Sequence, residues 1–195
     1  MQLSNYIESY DEWEKRANKV LSHFDYVYPD QIDLFDICWK YGIKIKPLDI
    51  DFVSPDIQFK TIEHLESYSI PKKTARKGTI YIKPGLDPIQ KKLLLAEEFC
   101  HLYSHFASQL NMNKLLLDKM EQQAKRMAAY LLMPSLFLNQ VYSAALSEPV
   151  LISDIADYFV VTEEFAQYRL ELTYKHKVDG FAILKNRLGS IELLD

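Results

Sequence analysis

The chain has 195 residues, 48% hydrophobic and 13% aromatic, and its 23 Lys and Arg against 27 Asp and Glu leave a formal charge of −4. That is enough for one well-packed core, while a mildly acidic chain of intermixed charge has no electrostatic footprint for nucleic acid. The opening MQLSNYIESYDEWEKR lacks the apolar segment of a secretory signal, and no run approaches the roughly 18 apolar residues of a membrane span. Two cysteines, Cys38 and Cys100, can build neither a disulfide framework nor a cysteine zinc site. The expectation is a soluble, cytoplasmic chain.

In chain order, Tyr6, Tyr10, Trp13, Ala17, Val20, Leu21 and Phe24 recur at helical spacing and predict a first helix. A second is expected from Asp30 to Tyr41, with Asp30 as its cap and Gly42 closing it. GIKIKPLDI and GTIYIKP alternate as strands, with a loop-rich segment and room for a further strand between them. The basic stretch IPKKTARKG reads as a solvated loop rather than a binding patch. Helical patterning returns from Asp87 to about His105 and again in DKMEQQAKRMAAYLLM. On this latter helix Ala124, Met127, Ala128 and Leu131 should form the buried face. Pro134 suits the first turn of a new helix. SDIADYFVVTEEFAQYRLELTY reads as two short helices with Thr162 as a cap. GFAILKNRLGSIELLD suggests a closing hairpin around Asn186 to Gly189. The class is α+β: a small antiparallel or mixed sheet packed on a helical set. The chain divides into an N-terminal helix (1–29), a core (30–148), and a C-terminal helical pair with a short hairpin (149–195).

The chemistry lies in LLLAEEFCHLYSH, Leu93 to His105. At about 100° per residue, Glu97, Glu98, Cys100, His101, Ser104 and His105 share one side of this helix. Phe99, Leu102 and Tyr103 point the other way. Residues at i and i+4 sit one turn apart and can reach one cation, and zinc accepts carboxylate oxygen as well as imidazole nitrogen. Glu98, beside the first of these positions, is then placed to take a proton from the attacking water. Glu121, on the next helix, is the candidate third ligand. The same residues can also form a solvated helix face with hydrogen-bonded histidines, so spacing alone leaves both readings open. Cys100 reads as a small packing residue.

LAEEFCHLYSH, followed by EQQAKRMAAYLLMP, resembles the ImmA/IrrE family of zinc metallopeptidases. Its usual motif is an Ala-His-Glu-Leu-Gly-His helix, followed by a Glu-x-x-Ala segment that ends in Leu-Leu-Met-Pro. IDLFDICWKYGIKIKPL, GTIYIKPGLDPIQKKLLLAEE and DIADYFVVTEEFAQYRL extend the likeness over roughly residues 30–174. The resemblance implies a zincin-like metallopeptidase core. By position, His101 matches the second motif histidine, Glu98 the catalytic glutamate and Glu121 the acidic ligand. Glu97 replaces the first histidine, as in other members with Ala-Glu-Glu at this point. Glu97, His101 and Glu121 would then hold the ion, an oxygen-rich set suited to zinc and more tolerant of manganese or another hard divalent cation. In the alternative set, His101 and His105 bind with Glu121, and Glu97 is left as an acid or base.

The resemblance further implies an endopeptidase whose substrate is a helix-turn-helix repressor of a mobile element, a phage, or a stress response. The competing reading is a non-catalytic module that captures a regulator, its metal structural or absent. Direct DNA binding through ISDIADYFVVTEEFAQYRL is disfavoured. Its second helix carries Glu163, Glu164 and Glu171 against Arg169, a poor match to phosphate. Two packed helices burying Ile155, Phe159, Phe165 and Leu170 are expected instead.

Overall fold

The computed structural model describes residues 11–53, 59–72, 77–104 and 114–193. Helix α1 (Glu12–Leu21) begins where the Asp11 side chain accepts the Trp13 N–H at 2.9 Å, satisfying a first-turn donor. Glu14, Ala17 and Val20 form its buried stripe; Tyr6 and Tyr10 lie outside the described residues. Helix α2 (Leu34–Lys40) starts later than Asp30, because the Asp33 carboxylate captures the Phe35 N–H at 2.7 Å. Pro29–Gln31 form a separate 3-10 turn, fixed by the Gln31 side chain accepting the Val27 and Tyr28 amides. Gly42 closes α2 at φ 67°, where a side chain would be strained.

Strands β1 (Lys44–Pro47), β2 (Ser67–Pro71) and β3 (Gly78–Ile82) make a mixed sheet of order β1-β3-β2, β1 parallel and β2 antiparallel to β3. The register pairs Ser67 with Ile82, Tyr68 with Tyr81 and Ser69 with Ile80. Because side chains alternate, Ile80 and Ile82 enter the main core, whereas Tyr68 and Tyr81 join Leu48, Val53 and Ile62 in a second, smaller one. Of the basic loop, Lys72 and Lys77 are exposed, and the Lys72 amide donates to the Lys77 carbonyl; Lys73 and Arg76 lie outside the described residues.

Helix α3 (Pro88–Ser104) crosses the main-core face of this sheet. Asp87 caps it by accepting the Ile89 and Gln90 amides. Gly78 permits the close approach: a Cβ there would collide with the Ile70 carbonyl and stand 2.8 Å from Leu102 Cδ2. Helix α4 (Lys114–Leu132) packs against both α3 and α1. Ala124, Met127, Ala128 and Leu131 are all fully buried, the face its spacing predicts. Pro134 stands just before α5 (Ser135–Ala144) in an extended conformation, not inside its first turn.

Strand β4 (Val150–Leu151) leads into α6 (Ile152–Phe159) and α7 (Glu163–Tyr174), the latter capped by Thr162 through the Phe165 amide. Ile155, Phe159, Phe165 and Leu170 are buried as expected. Arg169 is also fully buried, so the one cation counted on that helix cannot face a phosphate. Lys92 of α3 reaches across to the last carbonyls of α6, Phe159 O at 2.8 Å and Val160 O at 3.2 Å. Burial of this lysine lowers its pKa to about 8. Strands β5 (Gly180–Leu184) and β6 (Arg187–Ile191) form the closing hairpin, with β4 as a third strand. Its turn is Lys185–Asn186, at φ 51° and 63°, slightly ahead of the position expected. Seven helices over two small sheets, among the described residues, make this an α+β protein. No described helix is long and apolar enough to cross a membrane.

Candidate metal centre

Helices α3 and α4 pack together, with the last turn of α3 against the middle of α4 through His101–Glu121 and Ser104–Met127. Glu97 is half-buried, Glu98 and His101 are buried, and Glu121 is exposed. His101 Nε2 and Glu121 Oε2 stand 3.1 Å apart. On the opposite side, Ser67 Oγ of β2 donates to Glu98 Oε1 at 2.8 Å. Glu98 Oε2 is buried and has no hydrogen-bond partner among the described residues. His105, the alternative ligand, lies outside the described residues.

The electrostatics tie the four groups together. Burial raises the Glu97 carboxyl above its ordinary range; Lys125 and His101 pull it down, and Glu121 and Glu98 push it further up. Burial also raises Glu98, opposed by the hydroxyls of Ser69 and Ser67 and by His101. For His101, burial works against the imidazolium, but the hydrogen bond to Glu121 and the charges of Glu121, Glu98 and Glu97 outweigh it and raise its pKa. Glu97, Glu98, His101 and Glu121 therefore share one electrostatic environment built from two helices. Cys100 is fully buried in the apolar core, its thiol pushed well up by burial, as suits a packing residue.

This donor set fits a divalent cation in its chemistry and in part of its geometry. Two donors each about 2.0–2.1 Å from one tetrahedral ion lie roughly 3.3 Å apart, close to the 3.1 Å between His101 and Glu121. The carboxylates crowd one imidazole, and the Glu98 oxygen left without a donor is the kind of buried group that a nearby positive charge stabilises. Among the described residues, no three His, Cys, Asp or Glu side chains are already gathered into one coordination sphere. His101 and Glu121 are in contact; Glu97 would have to turn toward them.

Three residues at this site were not singled out from sequence: Ser67, Ser69 and Lys125. The serines alternate in SYSIP, a pattern that places them on one strand face, but which face depends on pairing with a distant strand.

A helix carrying Glu-Glu-x-x-His, laid over a small mixed sheet and packed on a second helix bearing a glutamate, has the architecture of the zincin-like metallopeptidases. A family model described as the IrrE N-terminal-like domain, Peptidase M78, matches residues 42–171, and the chain belongs to this family. Comparisons with curated proteins and with solved structures give no match.

Proposed function

We propose that the chain is a metal-dependent endopeptidase in which Glu97, His101 and Glu121 hold a divalent cation and Glu98 is the general base. The observation that carries this reading is the shared environment of these four side chains, with His101 and Glu121 in contact and a buried Glu98 oxygen lacking a donor. Zinc, or manganese given the oxygen-rich donors, would polarise a peptide carbonyl and make water more acidic when bound. Glu98 receives the proton of the attacking water and can return it to the leaving amine. Burial supports that role by raising the proton affinity of its carboxylate. Ser67 fixes one carboxylate oxygen, leaving the other to face the water. His105 is the alternative donor; Glu97 would then act as an acid or base.

The proposed substrate is a helix-turn-helix repressor, the class that the family resemblance implies. The test is to load the whole chain with zinc or manganese and incubate it with purified repressor. Discrete fragments from the parent are expected, and none from Glu98→Gln that still binds metal. Equal repressor binding by both proteins without cleavage would replace this reading with a regulator-capture module.

A further inference from the structure

The site raises a question that its ligand set does not answer: two adjacent carboxylates, Glu97 and Glu98, are both chemically able to bind a cation, so something must assign their roles. The β2–β3 register supplies the means. Ser67 and Ser69 lie opposite Ile82 and Ile80, whose side chains belong to the main core, while Tyr68 and Tyr81 point into the second core. Both serines therefore face α3, which packs on β2, at positions where an apolar side chain would ordinarily be expected. Ser69 is 3% exposed. Ser67 Oγ donates to Glu98 Oε1 at 2.8 Å, and the Ser69 hydroxyl also favours the ionised carboxyl. Glu97 shares His101 and Glu121 with Glu98 as neighbours, but its further partner is Lys125 on α4 where Glu98 has the strand serines.

We propose that Ser67 and Ser69 are positioning residues that hold the Glu98 carboxylate against the sheet, keeping it out of the metal's coordination sphere and leaving the ligand position to Glu97. This rests on the metallopeptidase reading and deepens it. A carboxylate anchored through one oxygen to a strand cannot swing freely onto the ion, whereas Glu97, with no such anchor among the described residues, can. The serines thus separate the base from the ligand in a motif where both are glutamate.

Cobalt(II) is the probe, titrated into the full-length chain and followed by visible absorption, with the fold checked by circular dichroism. The parent should give the intense bands of a four-coordinate ion. Ser67→Ala/Ser69→Ala should bind cobalt with intensity per ion reduced to roughly half or less, because released Glu98 adds a fifth ligand. Adding Glu98→Gln to that double variant should restore the parent spectrum, as should Ser67→Thr/Ser69→Thr in place of the alanines. If the double alanine variant does not fold, Ser67→Ala alone carries the test, since Ser67 makes the direct hydrogen bond. A parent-like spectrum in a folded, cobalt-binding alanine variant overturns the assignment of the serines. A folded parent that takes up no cobalt overturns the metallopeptidase reading itself, and this inference with it.

Discussion

Two polar clusters involve α4, one buried around Arg169 and one partly exposed around His101 and Glu121, and they are built on different terms. Around Arg169 every charge has an answer. Its guanidinium donates to the Met133 carbonyl at 2.8 Å, to Thr173 Oγ1 at 2.6 Å and to Ser135 Oγ at 3.1 Å, with Glu14 at 3.9 Å and the Tyr130 ring beneath it. Asp11 accepts from Arg126 and Tyr130 in the same region, joining α1, α4, α5 and α7. Two guanidiniums thus meet two carboxylates. At the other cluster, Glu97, Glu98 and Glu121 face Lys125 and His101. With all three ionised, the carboxylates outnumber the positive groups whether His101 is protonated or not. A buried charge is tolerated when paired and hydrogen-bonded, and costly when not. The Arg169 cluster pairs each of its charges, whereas the α3–α4 cluster carries an excess of carboxylates.

The contrast can be broken most strongly at its complete end. Arg169→Ala should destabilise by ~3–5 kcal/mol, the cost of removing one partner of a buried charge pair. Metal binding by the fraction that remains folded should not change. Urea unfolding and metal titration of the same sample would check both; a loss below about 1 kcal/mol would mean that the network contributes little. A smaller effect is expected between the clusters. Ala128 is fully buried on α4, so Ala128→Leu should cost ~1–3 kcal/mol by overpacking. An unchanged denaturation midpoint would show that the helix has space there.

The smallest effect sharpens the comparison through pH. Glu97 and Glu98 have folded pKa values above their unfolded ones. The folded, metal-free chain therefore binds more protons between those values, and their contribution to stability falls as pH rises through the window. His101, also raised, acts in the same direction: its contribution is full below its unfolded pKa and is lost as pH rises through the folded one. Asp11 runs the other way. Burial pushes its carboxyl up, but hydrogen bonds from Tyr130, the Trp13 amide and Arg126 lower it overall. Its contribution is present above the unfolded pKa and is lost as pH falls through the folded one. Urea midpoints of metal-free protein between about pH 5 and pH 8 should fall less steeply in Glu98→Gln than in the parent. Parallel slopes would contradict the burial of this carboxyl.

Much of this was legible in the sequence because it is local. Glu97 and His101 are one helical turn apart wherever the helix goes, and the Ala124, Met127, Ala128 and Leu131 face follows from spacing alone. The start of α2 was misplaced because Asp30 and Asp33 are both plausible caps, and only the hydrogen bond to Phe35 distinguishes them. The burial of Arg169 has no local sign, because a charged residue on a helix rich in glutamate ordinarily faces water. Apart from Thr173 one turn on, its partners come from residues 34 and 36 positions away and from Glu14. Ser67 and Ser69 carry no local sign of proximity to Glu98, since strand register brings them there. Strand β4, two residues long, offers no pattern to read.

We propose that a metal ion completes the acidic α3–α4 cluster. This is tested most directly by zinc titration of the parent and His101→Ala against a chromophoric chelator, with both confirmed folded. One zinc per parent chain is expected, with an affinity loss in the variant beyond the roughly 10–100-fold typical of an outer-shell partner. A folded parent that takes up no zinc, or a His101→Ala variant that binds it equally well, would overturn this metal site.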